Sequence, residues 1–148
     1  PAPCCLILDQ VREPGNLGTI LRTAWAAGLD QVWLTAESAD VFAPKVVRSG
    51  MGAQFSVATY YFPTLRDAVA HYRKLGGQKV WCTMPQAGLD MFDEKFAPRN
   101  AAVILGNEAN GITDPSVGEA VTIAMPGHAE SLNVAQAATL FVFEALRR

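Results

Sequence analysis

Three glycine-containing segments carry polar side chains that could bind a small ligand or take part in catalysis: residues 10–18, 106–111 and 125–133. Each follows a run of apolar residues that predicts a buried strand, so each should leave the carboxyl end of its strand. Ligands of open α/β sheets bind beyond those ends. The three segments together therefore indicate a ligand-binding site.

The first segment places Asn16 between Gly15 and Gly18, near a predicted helix start whose free N–H groups could bind an anion. Its pattern is neither the GxGxxG of dinucleotide-binding proteins nor a Walker A loop. A Pro-Gly turn followed by an asparagine helix cap explains the same residues. Arg22 shares a side of this helix with Gly18 and Thr19, so it is either a functional group or an ordinary surface arginine.

The other two segments also allow more than one interpretation. Glu108 lies between Gly106 and Gly111, a pattern found in many ligand-binding loops, but a surface acid would look the same. His128 and Ser131 raise the question of a serine hydrolase. The chain has no G-x-S-x-G motif and only two histidines, which argues against that class.

The composition predicts one folded domain. A chain of 148 residues, half of them hydrophobic, can bury a real core and is not disordered. The net charge of -2 gives no general attraction for nucleic acid. The distribution of charge matters more than its sum, and four basic residues in the first third are the candidates for phosphate contacts: Arg12, Arg22, Lys45 and Arg48.

Cysteine usage points to a reducing compartment. Cys4, Cys5 and Cys82 are odd in number and include an adjacent pair, so they predict neither a disulfide framework nor a metal site. No signal peptide or long uncharged apolar run is present, and we expect a cytoplasmic protein without membrane or metal. The chain begins Pro-Ala-Pro without methionine, which indicates a processed or excised fragment with a neighbouring domain missing.

Hydrophobic periodicity predicts an α/β fold with a mainly parallel sheet flanked by helices. The predicted strands are residues 4–9, 31–35, 56–61, 79–84, 101–106 and 120–124. The predicted helices are residues 16–27, 44–49, 64–75, 114–118 and 131–148, with Asn16, Thr64 and either Ser131 or Asn133 as caps. Residues 85–100 are expected to be irregular, and the most apolar strand, 101–106, should be central.

The predicted C-terminal helix is apolar on almost every side. Such a helix must be covered on more than one side. The sheet of the same chain can cover one side, and a partner subunit is the obvious cover for the other. We therefore expect a homodimer that forms through this helix.

In this order, the three segments resemble the signature motifs of a known family. Residues 16–23 read N-x-G-x-x-x-R-T, residues 106–111 read G-x-E-x-x-G, and residues 125–134 read M-x-G-x-x-x-S-L-N-V. The combination resembles the SpoU (TrmH) family of SPOUT-class RNA 2′-O-ribose methyltransferases, across essentially the whole chain. Residues 44–55, PKVVRSGMGAQF, are similar to the branch that acts on ribosomal RNA.

The resemblance implies a C-terminal trefoil knot, a homodimer with active sites at its interface, and S-adenosylmethionine as cofactor. The implied reaction is 2′-O-methylation of structured RNA, with a separate N-terminal RNA-binding domain. Residues 44–55 favour ribosomal RNA as the substrate, and transfer RNA stays open as the alternative. The implied cofactor contacts are Thr83, Met84, Leu105, Gly106, Asn107, Gly111, Ile123, Met125, Ser131 and Leu132. The implied functional polar positions are Asn16, Arg22, Glu108, Ser131 and Asn133.

Roles for these polar residues follow from the chemistry that the resemblance implies. Arginine, with a pKa above about 12, is a poor general base, so we expect Arg22 to clamp the adjacent phosphate and stabilise a developing alkoxide. Asn16 should hold Arg22 or the ribose, and Glu108 should fix Arg22 or a loop N–H group. Ser131 and Asn133 should orient the hydroxyl. In a dimer, Arg22 is expected to act on cofactor bound by the other subunit.

The chain departs from the family pattern near Met125. Ala124 stands where the family usually has proline, Pro126 follows the methionine instead, and Ala135 stands where serine is frequent. Two other classes stay open: a catalytically inactive RNA-binding module of the same fold, and a Rossmann-type dinucleotide enzyme. The second lacks a GxGxxG motif after Asp9.

Overall fold

The computed structural model describes residues 2–148 and shows a seven-stranded sheet with helices on both faces. Its strands are β1 (Cys5–Leu8), β2 (Gln31–Thr35), β3 (Ala58–Phe62), β4 (Val80–Thr83), β5 (Leu89–Asp90), β6 (Ala102–Leu105) and β7 (Glu119–Thr122). Its α-helices are α1 (Pro14–Ala26), α2 (Pro44–Ser49), α3 (Leu65–Lys74) and α4 (Val134–Arg147). Short 3-10 helices lie at Ala53–Phe55 and Pro115–Val117.

The strand order is β3-β2-β1-β6-β4-β7-β5, and every pairing between neighbouring strands is parallel. The predicted α/β fold with a mainly parallel sheet is therefore confirmed. Strand β6 is the middle strand, and all of its residues are buried, as its apolar sequence predicted. Helices cover both faces, which explains why the inner strands are continuous apolar runs.

Side chains that alternate along the strands divide the core into two layers. Leu6 and Leu8 of β1 belong to the layer that also contains the buried sides of α1 and α4. Ile7 belongs to the opposite layer, which is covered by α3. Helices α1 and α4 are in direct contact, since the hydroxyl oxygens of Thr23 and Thr139 lie 3.1 Å apart.

Helix α1 begins at Pro14, so the prediction that Asn16 caps it is wrong. Glu13 is the cap, and its Oε2 accepts the N–H of Asn16 at 2.6 Å. Proline suits the first helical position because its φ is preset and its missing N–H needs no partner there. The Pro-Gly pair is thus the first turn of the helix, and the Asn16 side chain remains available for other contacts.

Two strand predictions were also wrong. Residues 53–55 form a 3-10 helix, so β3 begins at Ala58 rather than at Ser56. Residues 85–100 are not wholly irregular, because they contain β5, which pairs with β7 at the edge of the sheet. A strand of two residues is too short to show the period on which sequence interpretation depends.

The C-terminal predictions need smaller corrections. Asn133 is the cap of α4, so the helix starts at Val134 and Ser131 lies before it. The predicted helix 114–118 is only a 3-10 turn, with Asp114 as its cap. Thr64 caps α3 as predicted.

Helix α4 is covered on one side only. Its outer stripe, Leu140, Phe143 and Leu146, is about 40% exposed at each position (40%, 41% and 41%). Its inner side also buries Glu144, which bonds Arg147 and Arg148. The hydrogen bond from Arg147 lowers the pKa of Glu144 despite its burial.

Among residues 2–148, no helix has the length and apolarity needed to cross a bilayer.

We predict that Gly18→Ala will destabilise the contact between α1 and α2. A Cβ at Gly18 would lie 1.8 Å from the Ser49 Oγ and 2.6 Å from the Val46 carbonyl oxygen, and the main chain cannot yield cheaply. We expect a loss of at least about 2 kcal/mol in the free energy of unfolding, measured by urea denaturation. Thr19→Ala, at the next and exposed position, is the control. Equal stability of the two variants would contradict the tight packing described here.

Candidate functional site

A cleft of about 500 Å³ lies at the carboxyl ends of β4, β6 and β7. The segments after these three strands form its walls. It is lined by all ten residues predicted to contact a cofactor: Thr83, Met84, Leu105, Gly106, Asn107, Gly111, Ile123, Met125, Ser131 and Leu132. The polar positions Asn16, Glu108 and Asn133 line it as well. The structure thus brings residues from opposite ends of the chain into one site.

The loop that follows β6 is shaped by Asn107. Its Oδ1 accepts the N–H groups of Ala109 and Asn110, both at 2.9 Å. Its main chain exchanges two hydrogen bonds with Gly111, each 3.0 Å long. Gly111 has φ of 73°, a conformation that favours glycine. Asn107 therefore closes residues 106–111 into a compact turn beside the cleft.

A buried acid that sequence reasoning did not single out anchors the far end of this loop. Asp9, only 1% exposed, accepts the N–H and the hydroxyl of Thr113, each at 2.7 Å. The hydroxyl of Thr35 on β2 also donates to it, at 3.1 Å. An acid at the end of an apolar strand was the available signal. Asp9 joins β1 to the segment that leaves the cleft.

Glu108 binds the N-terminal segment rather than Arg22. Its carboxylate accepts the main-chain N–H of Arg12 at 3.2 Å and that of Glu13 at 2.8 Å. The Asn16 Nδ2 also donates to it, at 3.4 Å. Of the two contacts predicted for Glu108, the structure shows the one to loop N–H groups. Its carboxylate therefore fixes the start of α1 against the cleft.

Asn16 and Asn133 form an amide pair that joins the starts of α1 and α4. The Asn133 Nδ2 donates to the Asn16 Oδ1 at 3.0 Å. The Asn133 Oδ1 caps α4, accepting the N–H groups of Ala135 at 2.8 Å and Gln136 at 3.3 Å. A second, more open groove lies on the other side of this pair and is lined by Ser49, Thr19 and Thr139 among others.

The predicted basic residues do not gather at the cleft. Arg22 is exposed on α1 and is not among the residues that line it. Arg12 pairs with Glu37 at 3.2 Å and Lys45 pairs with Glu13 at 3.5 Å. The N–H groups of Asn16 and Gly15, with Lys45 adding a smaller effect, lower the pKa of Glu13. Arg48 is exposed and makes no ion pair within residues 2–148.

The segment that leads into α4 offers free main-chain donors. Within residues 2–148, no N–H group of residues 124–133 donates to another main-chain group. The cleft also combines apolar walls with polar side chains such as Thr83, whose hydroxyl donates to the Ile104 carbonyl at 2.7 Å. Among the described residues, no cluster of His, Cys, Asp or Glu has the arrangement of a metal site.

The sequence of almost the whole chain matches a known class of proteins. The chain belongs to the SpoU rRNA Methylase family, whose model matches residues 3–143.

Individual relatives agree with this assignment. An uncharacterized tRNA/rRNA methyltransferase of Synechocystis is 36% identical over 97% of this chain and 53% of the relative. A 23S rRNA (guanosine(2553)-2′-O)-methyltransferase of Bacillus subtilis, RlmP, is 39% identical over 93% of this chain and 56% of the relative. The chain therefore spans about half the length of these curated relatives.

A solved structure has the same fold. The SpoU methyltransferase AviRb of Streptomyces viridochromogenes, in complex with the cofactor AdoMet, is 34% identical and superposes with a TM-score of 0.84. The match covers 96% of this chain and 58% of AviRb.

We predict that the Asp9 contact keeps the 106–113 segment ordered. Thr113→Val removes one donor to Asp9, and Thr35→Val removes the donor on the other side. Hydrogen exchange of the amides in residues 107–112 should accelerate about tenfold in Thr113→Val, the effect of about 1.4 kcal/mol in local opening. Thr35→Val should leave these amides near their wild-type rates. Equal acceleration in both variants would show that Asp9 acts only on global stability.

Proposed function

We propose that this chain is the catalytic domain of an S-adenosylmethionine-dependent RNA 2′-O-ribose methyltransferase that acts on ribosomal RNA. The observation that carries the proposal is the cleft, where the three motif segments meet together with all of the predicted polar residues except Arg22. The similarity of the chain to RlmP and AviRb, which are both methyltransferases, supports the proposal.

The residues of the cleft fit this cofactor. Its volume of about 500 Å³ lies in the usual range for small-molecule sites. Met84, Leu105 and Ile123 provide apolar walls for an adenine ring. The N–H groups of residues 124–133 that have no main-chain partner can bind the polar groups of the nucleoside and the amino acid. Proline has no N–H group, so the departure from the family pattern moves the missing donor from position 124 to position 126.

The geometry of the amide pair indicates how the chain treats the ribose. When bound, S-adenosylmethionine supplies an electrophilic methyl group on a sulfonium. Asn16 uses one amide hydrogen on Glu108, and Asn133 uses one on Asn16. Each amide nitrogen carries two hydrogens, so each keeps one that can donate to the 2′-oxygen. Two donors stabilise negative charge that develops on this oxygen, but they do not accept its proton.

The proton must therefore go elsewhere. We propose that the adjacent phosphate of the RNA, or a water molecule, takes it, and that Arg22 clamps this phosphate. Ser131 lines the cleft beside Asn133 and can help to orient the hydroxyl. Arg22 does not line the cleft of its own chain. This position supports a role for Arg22 in the cleft of a second subunit.

The second subunit would cover the open side of α4. The outer stripe of this helix, Leu140, Phe143 and Leu146, needs an apolar partner. Arg22 lies on α1, which packs directly on α4 through Thr23 and Thr139. A homodimer formed through α4 would thus bury the stripe and place the Arg22 side of α1 near the partner.

We also propose that the C-terminal segment is threaded into a trefoil knot. The start of α4 lines the cleft with the ends of β4 and β6. Its other end lies against the β5–β6 connection, where Arg148 donates to the carbonyls of Phe96 at 2.8 Å and Asp93 at 3.2 Å. Stretching the chain from both termini tests this, because a knotted chain falls short of the full contour of about 3.5 Å per residue.

The rest of the RNA site would come from outside this chain. The net charge is -2 and two of the four predicted basic residues are paired with glutamates. An additional N-terminal RNA-binding domain is consistent with the greater length of the relatives. Ribosomal RNA is favoured over transfer RNA by the 44–55 segment. The free thiols of Cys4, Cys5 and Cys82 support a reducing compartment, the cytoplasm.

We predict that the chain binds S-adenosylmethionine and that Arg22→Ala separates binding from chemistry. Calorimetric titration should show uptake by both proteins with dissociation constants within a few-fold of each other. Transfer of radiolabelled methyl to RNA from cells that lack the gene should fall roughly 100-fold or more in Arg22→Ala. Arg73→Ala, an exposed arginine on α3, is the control and should transfer normally.

Each result has a distinct meaning. If the wild-type chain does not bind S-adenosylmethionine, the catalytically inactive RNA-binding module is favoured. Loss of uptake in Arg22→Ala, or undiminished transfer, would contradict the role given to Arg22.

We predict that Leu140→Glu and Phe143→Glu will produce monomers with weakened cofactor binding. A charge in the apolar stripe should oppose burial of that stripe between two subunits. Sedimentation and calorimetry measure the two effects, and Leu75→Glu, at a 67% exposed position after α3, is the control. A dimer that survives both substitutions would place the subunit interface elsewhere.

A further inference from the structure

A second exposed apolar surface, besides the outer stripe of α4, is formed by residues on either side of α2 in the sequence. Dimerisation through α4 does not explain it. Phe42, Met51 and Phe55, which we call the aromatic platform, are 56%, 65% and 73% exposed. The rings of Phe42 and Phe55 are 5.8 Å apart between centroids, with an angle of 45° between their planes. Large apolar groups that cluster on a surface usually mark a binding site.

The two ring-bearing segments are joined by a buried hydrogen bond. Gln54, next to Phe55, is only 5% exposed, and its Nε2 donates to the carbonyl of Val41 at 2.5 Å. Val41 is next to Phe42, and its own N–H donates to the Tyr61 hydroxyl at 3.2 Å. The two ring-bearing segments are thus linked through the interior. A binding surface whose main chain is fixed before binding loses less entropy when a ligand arrives.

The main chain of the platform adopts an unusual conformation. Met51 and Gly52 follow each other with φ of 54° and 75°, and Met51 is not a glycine. Left-handed conformations of such residues are unfavourable and are retained where the surrounding structure fixes them, often at binding sites. This turn joins α2 to the 3-10 helix that ends at Phe55.

The platform is joined to the wall of the candidate site through α2. Met51 donates its N–H to the carbonyl of Arg48, the exposed arginine of α2 that makes no ion pair within residues 2–148. The next residue, Ser49, lines the open groove together with Asn16 and Asn133. Asp40, which accepts the N–H of Phe42 at 2.9 Å, is the acid on the far side of the platform.

We propose that the aromatic platform stacks an unpaired base of the RNA, next to the nucleotide whose ribose lies at the Asn16–Asn133 pair. The inference rests on the proposed function and adds a specificity element to it. Flat aromatic rings bind bases of any sequence by stacking, provided that the bases are not paired. Arg48 accepts the N–H of Met51 with its carbonyl and directly precedes Ser49 of the groove, so we propose that its side chain binds the phosphate joining the two nucleotides. This unpaired cation favours RNA over a second copy of the chain as the occupant.

The test compares single-stranded with double-stranded RNA. The wild-type chain is titrated at low salt into a fluorescein-labelled 12-nucleotide oligouridine and into a labelled 12-base-pair RNA duplex, and fluorescence polarisation is measured. Phe42→Ala and Phe55→Ala should each weaken oligouridine binding by roughly 5- to 100-fold, the usual range for one lost stack. Affinity for the duplex should stay unchanged. Phe55→Trp keeps a stacking ring and should bind oligouridine as well as the wild type does.

Two controls test the aromatic platform separately from the proposed cofactor binding. Phe92→Ala removes a 66% exposed ring that follows β5 and should not affect oligouridine binding. S-adenosylmethionine uptake of the platform variants should match the wild type. The proposal that the platform stacks a base would be overturned by undetectable oligouridine binding of the wild type. Undiminished oligouridine binding of the double variant Phe42→Ala/Phe55→Ala would overturn it as well. Neither result would affect the proposed cofactor binding. A change in oligomeric state of Phe55→Ala on sedimentation would also overturn it, because a second copy would then be the occupant.

Discussion

The carboxylates of Asp9 and Glu108 determine the shape of the cleft. Each accepts main-chain N–H groups, and neither forms an ion pair with a cation within residues 2–148. Asp9 binds Thr113, which is 104 residues away, and Glu108 binds Arg12 and Glu13, which are 96 and 95 residues away. Asp9 is buried, and a carboxylate that loses water must recover hydrogen-bond donors. Thr113 supplies two of these donors only when the segment after β6 meets the segment after β1. The buried Asp9 therefore requires the long-range arrangement on which the site depends, and the exposed Glu108 adds hydrogen bonds to it.

One side chain, Asn133, serves both helix capping and the site. Because Glu13 caps α1, the Asn16 amide is free to bind Glu108 and Asn133. Asn133 in turn caps α4 with its oxygen and keeps its nitrogen for Asn16. Loss of the Asn133 amide would thus unsettle the start of α4 as well as remove a donor from the site. This coupling explains how a cleft built from loops can be rigid, since its loops are tied to the ends of helices that are anchored in the core.

The sequence predicted the sheet and the composition of the cleft well, because both depend on local signals. Apolar runs marked the inner strands, and glycine-rich segments after them marked the cleft. It failed where tertiary contacts decide the outcome. The cap of α1 depended on whether Glu13 or Asn16 turned inward, and β5 exists only because β7 offers an edge. Asp9 was visible as an acid at a strand end, but its partner Thr113 is distant in sequence. The exposure of Phe42 and Phe55 could not be predicted either, since apolar residues are usually assigned to the core.

The position of Arg22 divides the site into an inner and an outer part. The cleft proposed for the cofactor is lined by residues of one chain, and its walls are braced by hydrogen bonds between distant segments. The groups proposed to contact RNA lie outside it: Arg22 on α1, Arg48 on α2, and the exposed rings of Phe42 and Phe55. A small cofactor needs an enclosed, preorganised pocket, whereas a large polyanion needs an accessible surface. In a chain of net charge -2, Arg22 and Arg48 are the cations without a salt bridge that we propose to meet the RNA outside the cleft. The reaction would then occur where the enclosed and accessible surfaces meet, at Asn16 and Asn133.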